Sequence, residues 1–358
     1  MTAPRFATVP DAGPLRAVVA GAGKLGPYWA RELLEHPDCE LAGWVDLDPA
    51  RVRAEARRLG VGDVPAGPSL EAMLDAQRPD FVVNVTAPAA HHAIVLAALR
   101  RGIPVLTEKP MAATLAEAVE MVAAADRAER LLMVSQNRRY MPELAAFRDT
   151  VGRLGPLSDL TCDFYIAHRD RAAEFLFAFA QPLLLDMAIH LFDGARAITG
   201  ADPLSVYCEA HNPPWSWYSG PAAASAIFRM SDGLRFTFTG NWAANGFQTS
   251  WTGSWRATGE RGSVTWAGEG APRVEPAPGE RVVASVPGTV PRDPARFLGL
   301  AGALADFVAA LRTGSVPAGE CHDNLRSLAM CHAAVESAAR GVPVAVEPGG
   351  DESAAAAA

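Results

Sequence analysis

No stretch of this 358-residue chain stays apolar over the ~20 residues that a helical membrane span needs, so a helical membrane protein is not expected. Cysteine is sparse. The five residues Cys39, Cys162, Cys208, Cys321 and Cys331 are odd in number, scattered and without a CxxC pair, which excludes a disulfide framework and fits free thiols in a reducing cytoplasm. Positive charge is in the minority: 32 Lys and Arg face 40 Asp and Glu, for a formal net charge of −8. Without a basic stripe, nucleic acid is not an expected partner. Residues 1–14 lack a charged-then-apolar export signal, so a cytoplasmic location is expected. Cys321-His322 and Cys331-His332 resemble metal ligands, but ten residues of helix turn ~1000° and put the pairs on different faces. No metal is expected.

What is present is apolar residue in quantity, 49%, enough to bury the cores of two domains. Residues 1–139 alternate short apolar runs (16–20, 40–45, 80–85, 103–106, 131–135) with helical patterns (24–36, 48–60, 89–101, 114–130). Strands buried on both faces and separated by helices predict a doubly wound parallel sheet of α/β class. From 140 to 345 the pattern changes. Helices are expected near 142–151 and 182–199, a strand near 157–167, and several strands between 203 and 266 without intervening helices. That predicts a large open, mostly antiparallel sheet in a second α/β domain. Residues 267–294 read as loop, 295–312 and 322–340 as closing helices, and 346–358 as a disordered tail.

Gly21-Ala22-Gly23-Lys24-Leu25-Gly26 follows the first strand and opens a helix. In that context GxGxxG serves a dinucleotide: glycines for a tight turn and close backbone approach, and a helix N-terminus for the pyrophosphate. Asp46 ends the second strand 23 residues after Gly23, placed to accept from the adenine-ribose hydroxyls and to repel a 2′-phosphate. This favours NAD, with NADP kept open by the nearby Arg51. Thr86-Ala87-Pro88 and Glu108-Lys109-Pro110 end the strands at 80–85 and 103–106, at the sheet edge where open α/β folds bind ligands. His92 is a candidate neighbour of cofactor or substrate. Asp186 and His190, four apart in an otherwise apolar helix, lie ~40° apart on one face. Two polar groups on a buried stripe are costly unless paired or used, and a carboxylate-oriented imidazole suits proton transfer from an alcohol.

The glycine loop, Thr86–Pro88, Glu108-Lys109-Pro110, Asn137-Arg138-Arg139-Tyr140 and the Asp186/His190 pair, in this order and spacing, resemble the Gfo/Idh/MocA oxidoreductases over about residues 15 to 345. The resemblance implies a Rossmann domain followed by a domain with a large open sheet, a nicotinamide cofactor, and a sugar, polyol or related substrate. It implies that Lys109 sits by the nicotinamide ribose and substrate, that His190 is the acid–base, that Asp186 holds substrate or histidine, and that Glu108 contacts the cofactor. Arg138 or Arg139 is implied to reach the substrate, without a choice between them. The chain departs from the family in having Ala180-Gln181-Pro182 where members often carry glycines. Trp215, Trp217, Trp242, Trp251 and Trp255 form a dense set that serves either as sheet core and subunit interface or as sugar-stacking faces; Trp215, in a turn-like segment, is the best candidate for a pocket lip.

The expected function is an NAD(P)-dependent sugar or polyol dehydrogenase. Two other readings stay open: a glycosidase working by transient oxidation and elimination, and a non-catalytic sugar or dinucleotide sensor. An open sheet with an apolar face also predicts a homodimer or homotetramer through that face.

Overall fold

The computed structural model describes residues 6–9, 13–169, 177–288 and 298–349. They fall into two compact units. The first takes the chain up to Asn137 and returns for the segment ending at Leu325; the second takes Arg138 onward and residues Arg326–Pro348.

In the first unit the apolar runs become six parallel strands: β1 (Leu15–Ala20), β2 (Cys39–Val45), β3 (Ala66–Gly67), β4 (Phe81–Asn84), β5 (Val105–Glu108) and β6 (Leu132–Ser135). Their order is β3-β2-β1-β4-β5-β6. Helices α1 (Gly26–Glu35), α2 (Pro49–Arg58), α3 (Leu70–Gln77), α4 (Pro88–Leu99) and α5 (Leu115–Ala128) connect them. Local chemistry starts these helices. Asp48 caps α2 by accepting from the Ala50 amide at 3.0 Å, with Pro49 in the first turn. Thr114 and Glu117 form a reciprocal capping box on α5. Strand register aligns the chain at one end of the sheet: Ala20 pairs with both Val45 and Asn84, and Asn84 pairs with Thr107. Gly21, Asp46, Val85 and Glu108 therefore reach one level at the carboxyl edge. The strand order reverses between β1 and β4, which is where a ligand crevice forms in such sheets.

Two features of this unit differ from the sequence reading. The β3–α3 segment was not anticipated, because β3 is only two residues long and α3 starts on a single capping serine, Ser69, accepting from Ala72. The helix expected at 295–312 runs as α8 (Leu300–Thr313), with residues 295–297 outside the described set, and it belongs to the first unit. Its Phe307 ring packs 5.3 Å from Phe81 on β4. Helical spacing of apolar residues shows that a face is buried but not against which sheet.

The second unit holds α6 (Pro142–Val151), β7 (Leu157–Tyr165), α7 (Ala188–Thr199), β8 (Pro203–His211), β9 (Ala223–Met230), β10 (Arg235–Asn241), β11 (Ser254–Gly259), β12 (Gly262–Trp266), β13 (Arg273–Pro276) and β14 (Val344–Ala345). The strands form one sheet, β13-β12-β11-β7-β10-β9-β8-β14, in which the β7–β10 pair is parallel and the other pairs are antiparallel. Strand β13 lies inside the segment read as loop, hidden there by its proline and glycine neighbours. One face of the sheet carries helices, and Phe192 of α7 meets Phe228, Phe236 and Phe238 at 4.8, 6.1 and 5.3 Å. The other face corrects an expectation. Its outward side chains are mostly polar, among them Asp159, Asp163, Ser225, Arg229 and Arg235, with Tyr207 and Ile227 as exposed apolar members. Antiparallel sheets with one solvated face alternate in this way. The last helix, α9 (Cys321–Arg340), contains the second boundary between units. Among the described residues, no helix is long and apolar enough to cross a membrane.

Candidate active site

The first unit supplies a cradle at its sheet edge. Gly21 has φ +112°, and a Cβ there would lie 2.7 Å from the Val85 carbonyl oxygen, so only glycine fits. The loop is pinned from the β2 side. The Trp44 indole donates to the Gly21 carbonyl at 2.8 Å, and the Ala22 amide donates to Asp46 Oδ2 at 2.7 Å. Gly23 is different. A Cβ there would meet no heavy atom within 4 Å, so the space above it is used by nothing in the protein. It lies exposed before α1, whose N-cap, Leu25, provides no side-chain acceptor. Open space over an uncapped helix N-terminus fits a pyrophosphate. The contrast gives a prediction. Gly21→Ala is expected to lose about 1–3 kcal/mol of stability through backbone strain. Gly23→Ala is expected to stay within about 0.5 kcal/mol of wild type yet bind NAD more weakly. Denaturant melts and NAD titrations of both variants check it.

Asp46 stands half-buried at the end of β2, with Oδ2 on Ala22 and Oδ1 accepting from the Asp48 amide at 2.9 Å. Beside it, a cavity of about 450 Å³ is lined by Lys24, Tyr28, Arg31, Arg51 and Arg58 among others. Further along the edge, Asn84 closes β4. Its Nδ2 donates to Thr107 Oγ1 at 3.0 Å, and its Oδ1 accepts from Thr86 Oγ1 at 2.8 Å.

Glu108 ends β5 and is buried, 7% exposed. Its carboxylate accepts from the Trp29 indole of α1 at 2.8 Å and from the Lys109 amide at 3.2 Å. Burial raises the Glu108 carboxyl above its ordinary range, against the lowering pull of these donors and the Lys109 charge. Glu108 thus anchors the β5 loop to α1 with the atoms the sequence reading directed at a cofactor. Lys109 follows, half-buried, before Pro110.

His92 Nε2 pairs with Glu120 of α5 at 2.7 Å. The histidine that reaches the edge is His91, fully buried, with Nδ1 2.8 Å from the Pro110 carbonyl and Nε2 3.0 Å from that of Thr86. It ties the β4 and β5 loops together; burial lowers its pKa, with the Lys109 charge adding a smaller push the same way. With α4 starting at Pro88, neighbouring residues point ~100° apart, so one histidine faces in and the other out.

In the second unit, residues Pro182–Met187 form a π-helical turn that runs into α7. Asp186 therefore lies on an under-wound i→i+5 turn and His190 on the α-helix after it, which alters the regular-helix offset expected between them. Such turns recur at functional sites. Leu183, Leu184, Met187, Ala188 and Ile189 are buried, whereas Asp186 and His190 are half-buried. Both polar side chains are thus partly accessible on an otherwise buried segment. Burial, and after it the Asp186 charge, pushes the Tyr218 phenol up. Tyr218 stacks on Trp242 at 5.5 Å, and Trp242 on His168 at 5.2 Å, which makes a continuous aromatic wall. Trp215 is 54% exposed, with its indole donating to the Ala243 carbonyl, which leaves the ring face as its usable surface.

The two arginines separate cleanly. Arg139 forms a bidentate pair with Asp193 of α7, at 2.8 Å (Nε) and 2.6 Å (Nη2), and Ser327 also donates to Asp193. Arg138 has the Met187 sulfur 3.9 Å from Nη2, while its buried Nη1 has no hydrogen-bond partner. Near the start of α9, Glu320, Cys321 and His322 bring ligand-type atoms within 4.8 Å of one another. The His322 ring nitrogens are engaged there by Glu320 at 2.7 Å and Asp126 at 3.2 Å.

Composition held a signal that the sequence reading missed. The chain has only two lysines, Lys24 and Lys109, and both stand at this edge of the first unit.

Comparison with known proteins gives the lineage. The description of an oxidoreductase family with an NAD-binding Rossmann fold matches residues 15–136, and that of the GFO/IDH/MocA C-terminal domain matches 150–265. D-apiose dehydrogenase of Paraburkholderia graminis is 26% identical over 316 residues, 84% of this chain and 82% of that protein. Inositol 2-dehydrogenase 4 of Saccharopolyspora erythraea is 32% identical over 196 residues, 54% of this chain and 56% of that protein. The structure of an oxidoreductase from Agrobacterium radiobacter, in complex with NAD+, L-tartaric acid and magnesium, matches at a TM-score of 0.83 and 22% identity, covering 93% of this chain and 98% of that one. Glycine cradle, strand order and both family matches agree: the chain belongs to the Gfo/Idh/MocA oxidoreductases, and its cofactor is NAD.

Proposed function

We propose that the protein is a dehydrogenase acting on a CH–OH group of a sugar, polyol or related carbohydrate. The observation that carries this reading is Lys109, directly after β5 at the switch-point edge that also bears the glycine cradle. NAD, when bound, accepts or returns the hydride. The chain's own residues do the rest. Gly21, Gly23, Lys24 and Leu25 seat the pyrophosphate, Asp46 takes the ribose hydroxyls, and Thr86, Pro88 and Glu108 shape the crevice. Lys109 positions and polarises the reacting oxygen. His190 takes or gives the hydroxyl proton, and Asp186 orients it. Positioning of the reacting groups supplies much of the rate of such a hydride transfer.

The domain division at 139/140, a cytoplasmic location and a homodimer or homotetramer through the eight-stranded sheet belong to the same reading. Five free thiols support the location. The width of the open sheet supports the assembly. Asp46 favours NAD over NADP, although the arginines of the neighbouring cavity work against that preference. The test is a spectrophotometric screen of sugars, polyols and sugar acids with NAD and NADP in parallel. Nicotinamide reduction with at least one class, stronger with NAD, is expected. Glycoside cleavage without net reduction would replace this reading with the oxidation–elimination one.

A further inference from the structure

We infer that Arg138 is the binding residue for a carboxylate on the substrate, so that the preferred substrate is a sugar acid rather than a neutral sugar. This inference rests on the carbohydrate reading above and narrows it. Two arginines stand side by side at the start of the second unit, and the fold treats them oppositely. Arg139 receives a bidentate carboxylate and a supporting serine. Arg138 receives none: among the described residues its contact is the neutral Met187 sulfur, and Nη1 is buried without a partner. Burial lowers the pKa of the Arg138 guanidinium to about 10. A buried cation without a counter-ion is costly, and such a group persists where a ligand completes it.

Position points the same way. Met187, which Arg138 touches, is the last residue of the π-helical turn and the immediate neighbour of Asp186. The unpaired guanidinium therefore lies against the same turn that presents the proposed proton-transfer face. The residue as a whole is half-buried, although its unpartnered Nη1 is not in contact with solvent. A planar guanidinium with an unpartnered N–H matches a carboxylate in geometry, and such charge-assisted bonds are about twice as strong as neutral ones. A neutral sugar hydroxyl at that position would leave the positive charge uncompensated.

The experiment compares matched pairs, galacturonate against galactose and gluconate against glucitol, with wild type, Arg138→Gln and Arg138→Met. Three readouts are taken: kcat/KM with NAD, the thermal shift caused by galacturonate in the presence of NAD, and the melting temperature without ligand. In wild type, kcat/KM is expected to be higher for the acid of each pair. In Arg138→Gln the acid-to-neutral ratio falls about 10- to 100-fold, and the galacturonate shift is lost. Arg138→Met melts at or above the wild-type temperature, because it removes an unpaired buried charge. A wild type that prefers the neutral partner of each pair overturns the inference. So does a ratio unchanged in Arg138→Gln, or a marked drop in melting temperature in Arg138→Met, which would make the arginine a structural residue. If no compound reduces NAD but galacturonate still shifts wild type and not Arg138→Gln, the dehydrogenase reading fails and the carboxylate site stands.

Discussion

Replacing Lys109 by alanine is expected to lower turnover about 100-fold or more, with NAD affinity close to that of wild type. The affinity should survive because the cradle is held by other residues: Gly21 is fixed by Trp44, Ala22 by Asp46, and the β5 loop by Trp29 and His91. Those contacts involve the Glu108 side chain and the Pro110 carbonyl, and the Lys109 backbone amide adds a bond to Glu108; all of them survive loss of the Lys109 side chain. What is lost, on the proposed reading, is a cation that polarises the reacting oxygen. The same loss is expected in His190→Ala, where a proton acceptor disappears while α7 keeps its buried face of Ile189, Leu191 and Phe192. Steady-state kinetics paired with NAD titration checks both, and near-normal turnover in either variant removes that residue from the mechanism.

The second large effect is on stability. Asp193→Asn is expected to cost about 3–5 kcal/mol, because it takes the bidentate carboxylate away from the buried Arg139 guanidinium. The side chains of Arg139 and Asp193 are only 11% and 2% exposed, so solvent does little to screen the pair. Ser327 adds a 2.8 Å bond to the same carboxylate and accepts from Arg196 at 2.9 Å, which links α7 to α9. The double variant Arg139→Leu with Asp193→Leu is expected to lose less than Asp193→Asn alone, since both members of the buried bidentate pair are then removed together. Urea melts of the three proteins measure this. Equal, small losses would mean that the pair is not part of what holds the second unit together.

Much of the first unit was legible in the sequence because its signals are local. A glycine loop between an apolar run and a helical pattern, an acid at the end of the next strand, and a charged pair stopped by proline are each complete within a few residues. The structure puts Gly21, Asp46 and Glu108 at one edge through strand register alone. What was not legible depended on distant partners. His91 and His92 are equivalent in composition, and only the start of α4 at Pro88 decides which one turns inward. Arg138 and Arg139 could not be told apart until Asp193, 54 residues away, was seen to neutralise one of them. The π-helical turn at Asp186 escaped notice because its residues carry the same apolar spacing as a regular helix. The open sheet face illustrates a premise rather than a pattern: threonines and charges alternate there with core residues, so an exposed sheet need not be apolar.

The central claim is that His190 carries the proton of the hydroxyl being oxidised while Lys109 holds its oxygen. The most direct measurement is single-turnover NAD reduction across pH in wild type and His190→Asn, with the best substrate from the screen. The account predicts a wild-type rate that rises with pH as the base loses its proton, and a variant about 100-fold slower whose rate no longer follows that rise. A His190→Asn protein that keeps both the rate and the pH profile of wild type would contradict it.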